Sequence, residues 1–185
     1  MIDATLREAD DKMAKAVEHA REEFATIRTG RAHPAMFANI TADYYGQQTP
    51  LQQLAGFQVP EPRVVIVSPY DLSAKAAIEK AIRESDLGVN PSDDGKVLRI
   101  VLPELTEDRR REFIKLAKAK AEDGRVAVRN LRRSAKQALD RAEKDSEISQ
   151  DDNTGAEKRL DGLTRKYVDA IDEMLKHKEA ELLEV

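Results

Sequence analysis

Apolar residues recur every three or four positions at the start of the chain: Ile2, Leu6, Ala9, Met13, Val17, Ala20, Phe24 and Ile27. On an α-helix that spacing draws a single stripe. The pattern predicts a first helix ending at Gly30, a glycine suited to the position just past a helix C-terminus. A second periodic run opens at Thr106, an N-cap residue followed by Glu107 and Asp108 at the positive end of the helix dipole. From there Ile114, Ala117, Ala121, Gly124, Val128, Leu131, Ala135, Ala138 and Ala142 alternate steps of three and four. This heptad seam predicts one helix of about 40 residues, or roughly 60 Å. A polar stretch, DSEISQDDNTG, then reverses the chain, and Leu160, Leu163, Tyr167, Ile171, Met174 and Leu175 mark the inward face of a last helix. No one of these helices buries its stripe alone, so the three make a bundle.

The middle of the chain follows other rules. All seven prolines lie between Pro34 and Pro103, and proline breaks helix interiors. ANITADYYG predicts a strand ending at a turn glycine, and RVVIV and VLRIVL are β-branched runs bounded by Pro, Asp and Gly. Between the last two, Ala77, Ile78, Ala81 and Ile82 form a short helical stripe that stops before Gly88. The expected fold is α+β with two domains: an elongated three-helix bundle (1–29 and 106–185) and a small inserted β/α/β domain (32–103). Because the insertion separates the first helix from the other two, the chain crosses the junction twice, at 28–31 and 103–106. Thr29, Gly30, Pro103, Glu104 and Leu105 are the expected hinge of an L-shaped molecule.

Composition narrows the chemistry. Charged residues make up 36% of the 185 and aromatics 4%, the balance of long, solvent-washed helices. Cysteine is absent, which removes disulfides and thiolate chemistry. No apolar run approaches the roughly 20 residues needed to span a bilayer, and the charged, amphipathic N-terminus carries no secretory signal. A cytoplasmic monomer is expected. His19, His33 and His177 have no metal-ligand spacing, DDGK is too short for a phosphate loop, and DDNTG lacks the ligand pattern of a calcium loop. No catalytic constellation, metal site or cofactor is expected, and an enzyme is not.

The net charge of −4 hides an asymmetry. Residues 105–145 hold thirteen Lys and Arg against eight Asp and Glu, a net +5, while 146–185 carry −5. Along the predicted long helix, one flank of the seam reads Lys115, Lys118, Glu122, Arg125, Arg129, Arg132 and Lys136, six cations in seven places. A ladder of one sign is self-repelling on an exposed helix. It fits either a polyanion or the acids of a neighbouring helix, and the acidic last helix offers the second. Clustered arginines suit phosphate, because the guanidinium donates through a planar fork. The ladder lacks aromatics for base stacking, so the nucleic acid it fits is structured RNA read through its backbone.

Several blocks carry a family resemblance: IRTGRAHP (27–34), YYG (44–46), SDLGVNP (85–91), LTEDRRREF (105–113), VAVRNLRR (126–133) and HKEAELLEV (177–185). Together, in this order and spacing, they resemble the bacterial ribosome recycling factors from end to end. The resemblance implies a factor that binds the post-termination ribosome in the intersubunit space. With elongation factor G and GTP it would split the ribosome and release mRNA and tRNA, after which initiation factor three keeps the subunits apart. It implies contact between Arg129 and Arg132 and large-subunit rRNA, supported by Arg125, Arg133 and Lys136. It also puts Arg28 and Arg31 on the same RNA or on the intersubunit bridge. The alternative function is a helical chaperone or protein-interaction scaffold away from the ribosome.

Overall fold

The computed structural model describes residues 1–184. In chain order its elements are α1 (Ile2–Ala25), β1 (Thr41–Tyr44), β2 (Gln47–Pro50), α2 (Leu51–Leu54), β3 (Ala55–Glu61), β4 (Val64–Pro69), α3 (Lys75–Arg83), β5 (Ser92–Asp93), β6 (Leu98–Val101), α4 (Glu107–Lys144) and α5 (Gln150–Leu183). The chain forms two compact units. One comprises Met1–Phe24 with Ile114–Ala180, and the other Ala25–Phe113 with the chain end from Glu181. Both segments expected to act as a hinge, 28–31 and 103–106, fall inside the second unit.

The first unit is the three-helix bundle. Leu6, Ala9, Met13, Val17, Ala20 and Phe24 of α1 are buried, as their spacing predicts. The helix ends at Ala25 rather than at Gly30, and Gly30 does not take the left-handed conformation of a C-terminal glycine. The chain leaves the helix early, and the Thr29 hydroxyl both accepts from the Arg31 N–H (3.3 Å) and donates to the Arg31 carbonyl (3.1 Å). In α4 the seam follows Ala117, Ala121, Gly124, Val128, Ala135 and Ala142 as expected, but Leu139 is buried in place of Ala138. Ala138, expected inside, is exposed. A straight helix repeats every 3.6 residues and drifts about 20° per heptad from a 3.5 repeat. After three heptads the next position, which carries the larger side chain, has turned inward.

At Gly124 all three helices come close together. A Cβ there would lie 3.0 Å from Cδ1 of Ile171 on α5 and 3.4 Å from the Cβ of Ala20 on α1. The missing methyl group is what lets Ile171 pack fully buried at this level.

The reversal between α4 and α5 is shorter than the polar sequence suggests, because the DDNTG segment is helical. The α4 end closes with paired bonds from the Ser146 N–H to the Glu143 carbonyl (3.0 Å) and from the Glu147 N–H to the Ala142 carbonyl (2.8 Å). Ser146 sits between them in the left-handed region at φ 59°, an arrangement that satisfies the last free carbonyls of a helix. Ser149 then caps α5: its hydroxyl accepts from the Asp152 N–H (3.0 Å), and the Asp152 carboxylate accepts from the Ser149 N–H (3.3 Å).

In the second unit a sheet of order β3-β4-β6-β5, antiparallel throughout, packs against α3. Leu98 and Ile100 of β6 face inward while Arg99 and Val101 face out, and Ile78 and Ile82 of α3 close the core with Phe37 and Leu51. The Phe37 and Phe57 rings stack at 5.0 Å. The β1–β2 hairpin turns through Tyr45 and Gly46, both with positive φ, the pairing that matches strand twist in a two-residue loop. Elements β2, α2 and β3 lie in QQTPLQQLAGFQVPE, where sequence alone predicted none. Pro60 is accommodated because β3 is an edge strand and its register shifts between Gln58 and Glu61.

Candidate nucleic-acid interface

Seven cations of α4 occupy two rows distinguished by what they touch. The inner row lies against α5 and is occupied by carboxylates. Arg125 donates from Nε to Asp172 (2.7 Å) and from Nη1 to Glu122 (3.0 Å). Arg132 donates from Nε to Asp161 (2.7 Å), with Nη2 at 3.6 Å from Glu157. Lys136 bonds Asp140 (2.7 Å) and lies 3.2 Å from Glu157. These three side chains are only 19%, 33% and 24% exposed.

The electrostatics follow. Hydrogen bonding to Asp172, then to Glu122, outweighs partial burial and holds Arg125 above its ordinary pKa. Asp140, then Glu157, does the same for Lys136. Asp140 in return is held below the usual carboxylate range by Lys136 and by the amide of Asn153. Asn153 is a buried polar side chain, and its Nδ2 donates to Asp140 at 3.0 Å. It thereby ties the first turn of α5 to the last turns of α4.

The outer row is more exposed and more loosely paired. Arg129 is 54% exposed, with Glu122 at 3.6 Å. Lys118 is 63% exposed, with Glu179 at 4.0 Å. Arg133 and Lys115 are exposed and make no ion pair among the described residues. Sequence placed all of these except Arg133, which the family resemblance added, on one flank. The structure leaves Lys115, Lys118, Arg129 and Arg133 open and pairs Arg125, Arg132 and Lys136.

In the second unit Arg28 donates from Nη2 to the Pro103 carbonyl at 2.7 Å, tying one expected crossing to the other. Its Nε is enclosed without a hydrogen-bond partner among the described residues, and burial, with Arg109 nearby, lowers its pKa. Arg31 pairs with Glu184 at 3.0 Å. Thr29 is buried, and Gly30, Arg31, Glu104, Leu105 and Arg110 line a cleft of about 380 Å³. Among the described residues no helix is long and apolar enough to cross a membrane. No cluster of His, Asp and Glu there is placed to hold a metal ion.

These features define an α+β protein of two domains, a three-helix bundle with one cationic helix edge and a small sheet domain inserted after the first helix. The family described as ribosome recycling factor matches residues 20–183. The chain belongs to the ribosome recycling factor family. It is 68% identical over 185 residues to the ribosome-recycling factor of Nocardioides sp. and 63% identical to that of Thermobifida fusca, covering all of each chain. A solution structure of the ribosome recycling factor matches with TM-score 0.78 at 42% identity, covering 100% of this chain and 98% of the other. A second matches with TM-score 0.72 at 38% identity, covering 100% of both chains. It is described as models of the T. thermophilus ribosome recycling factor and the E. coli elongation factor G bound to the E. coli post-termination complex.

Sequence reasoning missed the carboxylate partners of the inner row. An acidic last helix was visible, but which of its edges adjoins α4 depends on the rotation of both helices.

Proposed function

We propose that this protein recycles ribosomes. It binds the post-termination ribosome between the subunits and, with elongation factor G and GTP, parts them and releases mRNA and tRNA. Initiation factor three acts after it, on the separated subunits. The observation that carries this reading is full-length kinship, 68% identity across all of the chain and of its relative. The neighbour bound with elongation factor G to a post-termination complex supports the partner assignment. In the chain itself, large-subunit rRNA phosphates meet Arg129, Arg133, Lys115 and Lys118 first. Arg125, Arg132 and Lys136 join them as they exchange carboxylates for phosphates. Arg28 and Arg31 touch the same RNA, and the segments 28–31 and 103–106 flex as the subunits part. The work is mechanical, with GTP hydrolysed by the partner.

The test is a splitting assay on post-termination ribosomes with purified elongation factor G, with GTP present or absent. Splitting requires both. Arg129→Ala with Arg133→Ala weakens large-subunit binding about tenfold or more and makes its log–log salt dependence shallower by about 1.5, since two phosphate contacts are lost. Helicity stays unchanged. Splitting at the original rate by this double variant, with an unchanged salt dependence, would show that α4 is not the RNA face.

A further inference from the structure

A face meant for phosphates has filled its best donors with its own carboxylates, and the filling is regular. Glu157, Asp161, Asp172 and Glu179 are separated by 4, 11 and 7 residues, which places all four along one edge of α5. That edge faces Arg132, Lys136, Arg125 and Lys118. Counting Glu122 and Asp140 from α4, six acids lie against five of the seven cations of the two rows, and Lys115 and Arg133 have no acidic partner among the described residues.

The contacts copy those a phosphate would make. Asp161 and Asp172 each accept from a guanidinium Nε at 2.7 Å, the short, charge-assisted geometry that Arg offers a phosphate oxygen. A purely structural reason is modest, because the carboxylates involved are 38–51% exposed even though the arginines are 19–33% exposed, and solvent screening weakens such pairs.

We infer that the acidic edge of α5, chiefly Asp161, Asp172 and Glu157, determines the RNA specificity of α4 by standing in for phosphates until the right surface displaces it. This rests on the reading of α4 as the rRNA face. An arbitrary RNA duplex finds the inner donors already occupied and meets exposed carboxylates beside the outer row. A surface shaped to engage both rows at once gains enough contacts to move the acids aside. Rejection of the wrong partner through a repulsive element is how a charged surface becomes selective. It matters here because phosphate attraction by itself carries no sequence or shape information.

The test uses the full chain with Asp161→Asn and Asp172→Asn together, which removes charge and keeps shape. Two probes are titrated across salt concentrations: purified large ribosomal subunits and a short RNA duplex of arbitrary sequence. Affinity for the duplex rises about tenfold and its salt dependence steepens by about one to two, as freed guanidinium groups meet phosphates. Affinity for subunits rises less, so the ratio between the two falls. Glu157→Gln moves the duplex in the same direction by a smaller factor, and it reads the same quantity should the double variant lose helicity. Duplex affinity unchanged or weakened in these variants, with salt-sensitive subunit binding intact in the original protein, overturns the inference and leaves the rRNA reading standing. Subunit binding by the original protein that ignores both salt and the Arg129→Ala, Arg133→Ala substitutions removes the rRNA reading, and this inference with it.

Discussion

At Gly124 even a methyl group is crowded, since its carbon would sit 3.0 Å from the end of Ile171. Glycine in a helix interior costs about 1 kcal/mol relative to alanine, whereas overpacking a well-filled core costs about 1–3 kcal/mol. Gly124→Ala therefore lowers stability by about 1 kcal/mol, the packing penalty exceeding the helical gain. Ile171→Val removes the clashing Cδ1 at a cost of about 1 kcal/mol, and in that background Gly124→Ala becomes stabilising by about 0.5–1 kcal/mol. Urea unfolding of the four chains checks the reversal of sign, and strictly additive effects would contradict it. The same scale explains why neighbouring arginines differ. Arg132 and Arg133 are adjacent in sequence, yet one turns its Nε onto Asp161 and the other projects into solvent.

Helix α5 is tied to α1 by a side-chain bond as well as by packing. The Tyr167 hydroxyl donates to Asp10, and this bond, reinforced by burial, pushes the phenol pKa up to about 12. Below the unfolded value of about 10 the proton is present in both states and the bond contributes fully. Between about 10 and 12 the unfolded chain releases a proton that the folded chain keeps, so stability falls as pH rises. Tyr167→Phe costs about 1 kcal/mol near neutrality and flattens that alkaline decline. Urea midpoints measured across the alkaline range show it, and an unchanged slope in the variant would refute the assignment. Such contacts mark the limit of what the chain discloses in advance. The helical stripes were legible because each runs for many turns, and Leu6, Met13, Val17 and Val128 are buried where their spacing puts them. The end of α1 was misread because Gly30 resembles a terminator that a loop five residues earlier makes unnecessary. Strands β2 and β3 were hidden by Gln, Gly and Pro, residues an edge strand tolerates and a propensity rule discounts. Of the candidate site, the cationic flank was legible from heptad positions. Its division into open and occupied rows was not, because that needs the position of Asp161 and Asp172 in space.

For the whole molecule, the arrangement of units in the chain shapes both its action and its assembly. If the segments 28–31 and 103–106 flex during recycling, joining them should stop the process after docking. Gly30 and Glu104 line the same cleft, and a chain without native cysteine offers any two introduced thiols as unique attachment points. Gly30→Cys with Glu104→Cys, closed by a bifunctional thiol reagent, retains large-subunit binding and loses splitting, while the open double variant keeps both. Splitting at full rate by the closed protein rejects flexion there. Assembly is governed by the lopsided spacing of the bundle. Helices α4 and α5 are joined by the five residues 145–149 and can pair as soon as both exist, whereas α1 is separated from α4 by 81 residues, 26–106. A ribosome making this chain produces α1 first. At about 5–20 residues per second, the greasy side formed by Leu6, Met13, Val17 and Phe24 waits on the order of ten seconds for the helices that will cover it. During that interval the newborn segment is a natural client for any chaperone stationed at the tunnel exit.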